Sequence, residues 1–311
     1  MMKLKIISGN ANVELSKKIV QRLGVDLADR KLERFSDGEI RAQVLDNVRG
    51  ADCYIIQPTC QPVNENLMEL LVLADALKRA SAKRITAVMP YYGYARQDRK
   101  SEPRVPITAR LVANLLDTAG ITRLLAMDLH AGQIQGFFDI PVDHLYAKPV
   151  LINYIKEKNY DDLVVVAPDA GGVERARSYA KDLNADLVIV DKRRPQPNEA
   201  SIMNIIGEVK DKICMIIDDM VDTAGTLTKV AAAIKEKGAA KVFATASHGV
   251  LSGGAKKRIQ DSCLEELIIT DSIPLQESEN TKKISVISIS SILADAITRI
   301  SKDESVSALF F

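Results

Sequence analysis

The sequence predicts an α/β protein of two similar domains, each a mostly parallel sheet flanked by helices. Three observations carry this. Short apolar runs alternate with amphipathic segments along the whole chain, the pattern of strands buried on both faces with helices between them. The 311 residues suit two domains at ~100–200 residues each. Val88-Met89-Pro90-Tyr91-Tyr92-Gly93 is echoed by Val166-Ala167-Pro168-Asp169-Ala170-Gly171, each followed by an arginine, Arg96 or Arg175. A duplicated domain with its boundary near 146–149 explains the echo; chance is the alternative, because the arginine offsets differ by one. The expected domains are 1–147 and 148–302, with a tail of about 303–311 packing back on the first.

The elements follow in order. Residues 3–8 are an apolar strand and 12–23 a helix closed by Gly24. A strand at 51–56 leads to a helix at 65–80, which carries Leu67, Leu70, Leu71, Ala74 and Leu77 on one face and has Asn64 as its expected N-cap. Strand 84–90 ends in Pro90, and Pro106 suits the first turn of a helix reaching about Thr118. A strand at 123–129 precedes a helix at about 148–158, a strand at 162–167 and a helix at about 172–183. Strand 186–190 runs into a charged, proline-rich loop. Strands near 201–206 and 213–217 lead to a helix at 224–237, ended by Gly238. Strand 241–247, helix 253–261, strands 266–270 and 284–289, and a helix at about 291–301 complete the set.

Composition excludes several classes. Lys+Arg is 42 and Asp+Glu 41, so there is no global field for nucleic acid or an anionic membrane, and any anion site is local. Trp is absent and aromatics are 5%, against a stacking platform for single strands. No apolar stretch approaches the ~20 residues of a membrane span, and the charged N-terminus is not a secretory signal. Cys53, Cys60, Cys214 and Cys263 lack C-x-x-C spacing. They read as reduced core thiols of a cytoplasmic protein.

The most informative segment is Met215-Ile216-Ile217-Asp218-Asp219-Met220-Val221-Asp222-Thr223-Ala224-Gly225-Thr226-Leu227-Thr228. A buried strand delivers two adjacent acids, then a small, hydroxyl-rich turn opens a helix. The acids suit ribose hydroxyls, and the turn's N–H groups with the helix dipole suit a phosphate. A Walker B strand would need G-x-x-x-x-G-K-[ST] elsewhere, but between Gly249 and Gly254 the nearest approach has Ala255 in place of lysine. Five other loops carry candidate chemistry. Asp128-Leu129-His130, with Asp139 and Asp143 downstream, suits Mg²⁺ and a polyphosphate. Arg96, Gln97 and Asp98 follow an aromatic-glycine-aromatic turn, and an arginine fork can grip two phosphate oxygens. Pro168-Asp169-Ala170-Gly171-Gly172 permits close backbone approach to a ligand. Asp191-Lys192-Arg193-Arg194-Pro195 gathers three cations, and Phe35-Ser36-Asp37-Gly38-Glu39 is an acidic turn edged by an aromatic.

From residue 3 to its end the chain resembles the ribose-phosphate pyrophosphokinases of the phosphoribosyltransferase superfamily, on the Asp218–Thr226 segment and these loops. The resemblance implies two phosphoribosyltransferase type I-like domains, an N-terminal one for ATP and a C-terminal one for ribose 5-phosphate. It implies transfer of a diphosphoryl group from ATP to the sugar's 1-hydroxyl, giving 5-phosphoribosyl 1-diphosphate and AMP for nucleotide biosynthesis. Phe35, Asp37 and Glu39 would reach a neighbouring subunit's adenine, and Arg96, Gln97, Asp98 and His130 would serve ATP. Asp128, His130 and Asp169 would hold Mg²⁺, with carboxylates and phosphates dominating because imidazole is an unusual ligand for a hard cation. Asp218, Asp219, Asp222, Thr223, Ala224, Gly225 and Thr226 would hold ribose 5-phosphate, with the backbone binding the phosphate at Ala224. Lys192 and Arg194 would clamp the transferring group. A homohexamer built from dimers is implied, with phosphate and ADP as effectors at Arg49, Ser81, Arg104, Gln135, Ser305 and Phe310. Position 144, a different polar residue in relatives, is His144 here.

Two rivals share features. A phosphoribosyltransferase has the Asp218–Thr226 segment but does not need the Arg96 or Asp128 loops. A catalytically silent paralogue would show insertions or lost charges, whereas Asp169, Lys192, Arg194, Asp218 and Asp219 are all present.

Overall fold

The computed structural model describes residues 3–193, 202–276 and 282–309, without the side chains of 192, 193, 202 and 203. The elements are β1 (Leu4–Ser8), α1 (Val13–Leu23), β2 (Arg30–Arg34), β3 (Ile40–Val44), β4 (Asp52–Ile56), α2 (Val63–Arg79), β5 (Arg84–Met89), α3 (Thr108–Ala119), β6 (Arg123–Met127) and β7 (Val142–Leu145). They continue as α4 (Lys148–Glu157), β8 (Leu163–Ala167), α5 (Val173–Leu183), β9 (Asp186–Arg193), β10 (Ile202–Ile206), β11 (Ile213–Val221), α6 (Gly225–Glu236), β12 (Lys241–Gly249), α7 (Ala255–Asp261), β13 (Leu267–Thr270), β14 (Ile284–Ile287) and α8 (Ser290–Ser301). The predicted α/β class with parallel sheets is the fold observed.

The chain divides into two compact units. One comprises the residues up to Tyr146, Ser272–Pro274 and the residues from Ser288 on; the other comprises Ala147–Asp271 and Leu275–Ile287. The last helix, placed in the second domain by the sequence pattern, belongs with the first unit, where α8 packs on α1. The apolar face of α1 (Leu15, Ile19, Val20) needs a partner, and α8 supplies Leu293, Ala296, Ile297 and Ile300 as its own buried face.

In the first unit β1-β4-β5-β6-β7 form a parallel sheet. Cys53, Ile55, Ala87, Met89, Leu124 and Ala126 share one core cluster with the buried faces of α2 and α3. Three strands escaped the sequence pattern. β2 and β3 pair as an antiparallel hairpin, but Arg-Lys-Leu-Glu-Arg and Ile-Arg-Ala-Gln-Val have no fully buried residue between them. β7 has four residues with two acid or imidazole side chains. Asn64 is not the N-cap of α2: the helix starts at Val63 with Pro62 at the cap, and Asn64 Oδ1 instead accepts from the Tyr94 hydroxyl.

In the second unit the order is β10-β9-β8-β11-β12-β13-β14, all parallel except β10. After β8 the chain moves to one side of the sheet and after β11 to the other, so the β8–β11 pair is a topological switch point. In open α/β sheets the crevice beyond such a pair is where ligands bind.

All four cysteines are free thiols. Burial pushes Cys53 up to about 12 and Cys60 and Cys214 up to about 11, so these three are inert packing groups.

At the amino ends of the first unit's strands, Asp52 is 1% exposed and accepts from Arg84 Nε (3.1 Å), Arg84 Nη2 (2.5 Å) and the Tyr54 hydroxyl (3.1 Å). Arg84 also reaches the exposed Asp303 at 2.7 Å. Asp52→Ala strands Arg84 beside a buried void and should destabilise the protein by about 3 kcal/mol or more. Asp303→Ala removes a screened surface pair and should cost less than about 1 kcal/mol. Urea unfolding midpoints of the two variants check the contrast.

Candidate functional site

The second unit builds its site at the switch point. Pairing of β11 with β8 stops at Ile216–Val166, while pairing with β12 continues to Val221–Gly249. The last residues of β11 therefore overhang β8, and Asp218 and Asp219 sit on that overhang. Asp219 is 4% exposed and Asp218 half-buried. Arg175, on the first turn of α5, donates from Nη1 to Asp219 Oδ1 at 3.2 Å and lies 3.5 Å from Asp218 Oδ1. Desolvation raises the Asp218 pKa to about 8; the Asp219 carboxylate adds to the shift and Arg175 opposes it. The loop before α5 places the exposed Asp169, whose Oδ1 accepts from Gly172 N at 2.9 Å.

Beyond β11 the chain turns into α6 through Asp222, Thr223 and Ala224. Ala224 has φ 61° and ψ 3°, a left-handed conformation that costs an L-residue roughly 1–2 kcal/mol. It serves as the N-cap without a side-chain acceptor. The first N–H groups of α6, from Gly225 and Thr226 on, thus have no carbonyl a turn earlier. They form a donor cluster at the positive end of a helix, suited to a phosphate. A second loop braces this turn: Leu251 N bonds Val221 O (3.0 Å), Ser252 N bonds Asp222 O (3.1 Å), Ser252 Oγ bonds Asp222 Oδ1, and Arg258 Nη1 bonds Thr223 O at 2.8 Å.

The first unit carries the other candidate residues on loops at the carboxyl ends of its strands. After β5, Gly93 admits no Cβ, which would lie 2.5 Å from Thr59 O, and Tyr94 turns with φ 65°. Arg96 and Gln97 follow, both exposed. Gln97 is held by its backbone to Tyr94 O and Ala109 N, and by its side chain to the Thr108 hydroxyl. After β6 come Asp128, with φ 38°, and the exposed His130. Asp98 Oδ2 accepts from Gln133 Nε2 at 3.2 Å, which ties the two loops together. Leu129 N donates to His144 Nε2 at 2.9 Å, and Gln135 Nε2 lies 3.3 Å from His144 Nδ1. Phe35, Asp37 and Glu39 form the exposed tip of the β2–β3 hairpin, where Glu39 N bonds Asp37 Oδ1 at 3.0 Å and Arg41 stacks over Phe35.

Among the expected effector residues, Arg49 Nη1 donates to Ser81 Oγ at 3.3 Å, and Arg104 is exposed with φ 64°. Ser305 O accepts from Arg299 at 3.1 Å. Arg194, Phe310 and the Lys192 side chain lie outside the described residues; the Lys192 backbone pairs with Met203. Among the described residues no group of three or more His, Cys, Asp or Glu could by itself hold a metal ion. Hard carboxylate oxygens at Asp128 and Asp169 nonetheless fit Mg²⁺, which binds through one or two carboxylates plus substrate phosphates and water.

Four residues of consequence were not singled out from sequence: Arg175, Gln133, Ser252 and Arg258. Arg175 alone left a trace, as the arginine of the internal echo.

Because Asp218 is held above the ordinary carboxylate value near ~4, its contribution to stability is fully present below that value and is lost as pH rises through about 8. Asp218→Asn should therefore gain stability relative to the wild-type chain as pH is raised from about 5 to about 8. Thermal melts of both proteins across that range, without ligands, test the sign.

Comparison with known proteins identifies the family. Residues 4–120 match the N-terminal domain of ribose phosphate pyrophosphokinase, and residues 189–311 match a phosphoribosyl synthetase-associated domain. The chain is 55% identical over 309 residues to ribose-phosphate pyrophosphokinase from Fusobacterium nucleatum, covering 99% of this chain and 98% of that one. It is 56% identical over 309 residues to the Burkholderia pseudomallei protein of the same name, covering 99% and 97% respectively. A solved phosphoribosylpyrophosphate synthetase from Mycobacterium smegmatis superposes with a TM-score of 0.92 at 41% identity, covering 97% of this chain and 99% of that one. With near-complete coverage in both directions, the chain belongs to the ribose-phosphate pyrophosphokinase family of enzymes.

Proposed function

We propose that this enzyme transfers the diphosphoryl group of ATP to the 1-hydroxyl of ribose 5-phosphate, releasing AMP and 5-phosphoribosyl 1-diphosphate for nucleotide biosynthesis. The observation that carries the reading is the Arg175-braced Asp218–Asp219 pair at the switch point, one turn before the left-handed Ala224. Carboxylates beside a backbone anion cradle match a sugar with adjacent hydroxyls at one end and a phosphate at the other. Thr223, Ala224, Gly225 and Thr226 hold the 5-phosphate through N–H groups and hydroxyls, with Asp222 fixing the turn. Asp218 and Asp219 take the 2- and 3-hydroxyls.

On the first unit, Arg96 binds the ATP phosphate chain through its planar fork, and Gln97, Asp98 and His130 position the nucleotide. Phe35, Asp37 and Glu39 serve adenine across a subunit contact, which makes the oligomer, a homohexamer, part of the site. Asp128, Asp169 and His130 are the residues that would hold Mg²⁺, whose chemistry when bound is to neutralise phosphate charge. The anomeric oxygen attacks the β-phosphorus in line, the bond from that phosphorus to the α–β bridging oxygen breaks so that AMP leaves with that oxygen, and the proton of the 1-hydroxyl passes to solvent. Catalysis is then mainly positioning and charge neutralisation. Lys192 and Arg194 meet the charge that develops on the transferring group. The Arg49–Ser81 contact supports a regulatory anion site for phosphate and ADP, with Arg104, Gln135, Ser305 and Phe310. No helix among the described residues is long and apolar enough to cross a membrane, and a cytoplasmic location goes with the buried free thiols.

Incubation with Mg²⁺, ATP and ribose 5-phosphate should yield AMP; ADP as the nucleotide product would refute diphosphoryl transfer. Lys192→Ala should lower turnover by ~10²-fold or more, as loss of a transition-state donor does, while ATP binding measured by calorimetry persists. Full activity in that variant would remove the clamp from the mechanism.

A further inference from the structure

The turn that opens α6 carries a conformational cost that its own sequence does not offset. Ala224 is left-handed, its N-cap position lacks a side-chain acceptor, and its methyl is buried with Leu227 and Leu251. Something outside the turn must fix the Thr223–Ala224 peptide plane. Arg258 does so, donating from Nη1 to Thr223 O at 2.8 Å. In a trans peptide the carbonyl and the following N–H point in opposite directions. A guanidinium gripping the Thr223 carbonyl from the α7 side therefore directs the Ala224 N–H to the other side of that peptide. The charge on Arg258 also polarises the peptide and makes that N–H a stronger donor. Ser252 holds the residue before it, by Ser252 N to Asp222 O and Ser252 Oγ to Asp222 Oδ1.

We infer that Arg258, with Ser252, is a positioning residue for phosphate recognition: the β12–α7 segment clamps the 222–224 turn so that the Ala224 N–H is set for the 5-phosphate. This rests on the reading of that turn as the ribose 5-phosphate site. Arg258 touches no substrate in this arrangement; it acts through the Thr223 carbonyl. It also lines a cleft of 530 Å³ between α6 and α7, with Thr228, Lys235 and Asp261, so its far side is open and replacement does not disturb the core.

The test compares Arg258→Ala, Arg258→Lys and Ser252→Ala with the wild-type enzyme in steady-state kinetics for each substrate, in ribose 5-phosphate calorimetry and in thermal melting. Arg258→Ala should raise the KM for ribose 5-phosphate about tenfold or more, the effect of losing a charged hydrogen bond, with a matching loss of affinity in calorimetry. Its ATP KM should stay within about twofold. Lysine, which can still reach one carbonyl, should recover most of the affinity, and Ser252→Ala should shift the same KM by a smaller factor. An unchanged ribose 5-phosphate KM in Arg258→Ala would overturn the clamp. So would an equal rise in both KM values with a lowered melting temperature, which marks a merely structural residue. A wild-type enzyme that makes no AMP sinks the functional reading and this inference together; an active wild type with an indifferent Arg258→Ala sinks only the clamp.

Discussion

Two carboxylates side by side at the end of a strand repel each other, and partial burial makes the repulsion worse. Arg175 is what makes the pair at Asp218 and Asp219 tolerable. Its position is dictated by topology. β8 must stop short of β11 so that the chain can turn through Pro168–Gly172 and start α5 above the overhang. The sheet then has to reverse direction at this point, with β9 on one side and β12 on the other. The crevice, the acids, their counter-ion and the neighbouring anion cradle are thus consequences of one strand being longer than its neighbour.

Most of this scaffold is legible in the sequence because parallel strands buried on both faces must be apolar throughout. Continuous apolar runs such as Leu163–Ala167 and the start of β11 leave little choice. The hairpin β2–β3 is not legible for the same reason reversed: lacking a buried face, its residues carry charges at nearly every other position, like a loop. The placement of α8 is hidden differently. Its amphipathic pattern reveals a helix, but nothing local says which sheet its apolar stripe will meet.

The candidate site divides along similar lines. Asp218, Asp219 and the Thr223–Thr226 turn are readable because strand, acids and helix start are contiguous, so their chemistry is encoded within one short segment. Arg175, Gln133, Ser252 and Arg258 act on partners 43, 35, 30 and 35 positions away. A lone arginine or serine on a helix or loop has no pattern that separates it from a solvated one. The residues that touch a ligand are written locally, and those that hold them in place are set by tertiary structure. The left-handed Ala224 falls between the two: its identity suggests nothing, yet its conformation shapes the turn.

The discontinuity of the first unit bears on how the protein is made. A ribosome delivers β1, α1 and the rest of that sheet first, but α8 emerges last. Until it does, the face of α1 that ends against α8 stays uncovered, while most of the second unit is already available to fold. The amino-terminal half is thus begun first and finished last. A nascent chain stalled before Ser288 would carry an incomplete first unit with an open apolar stripe, a surface for chaperones to shield.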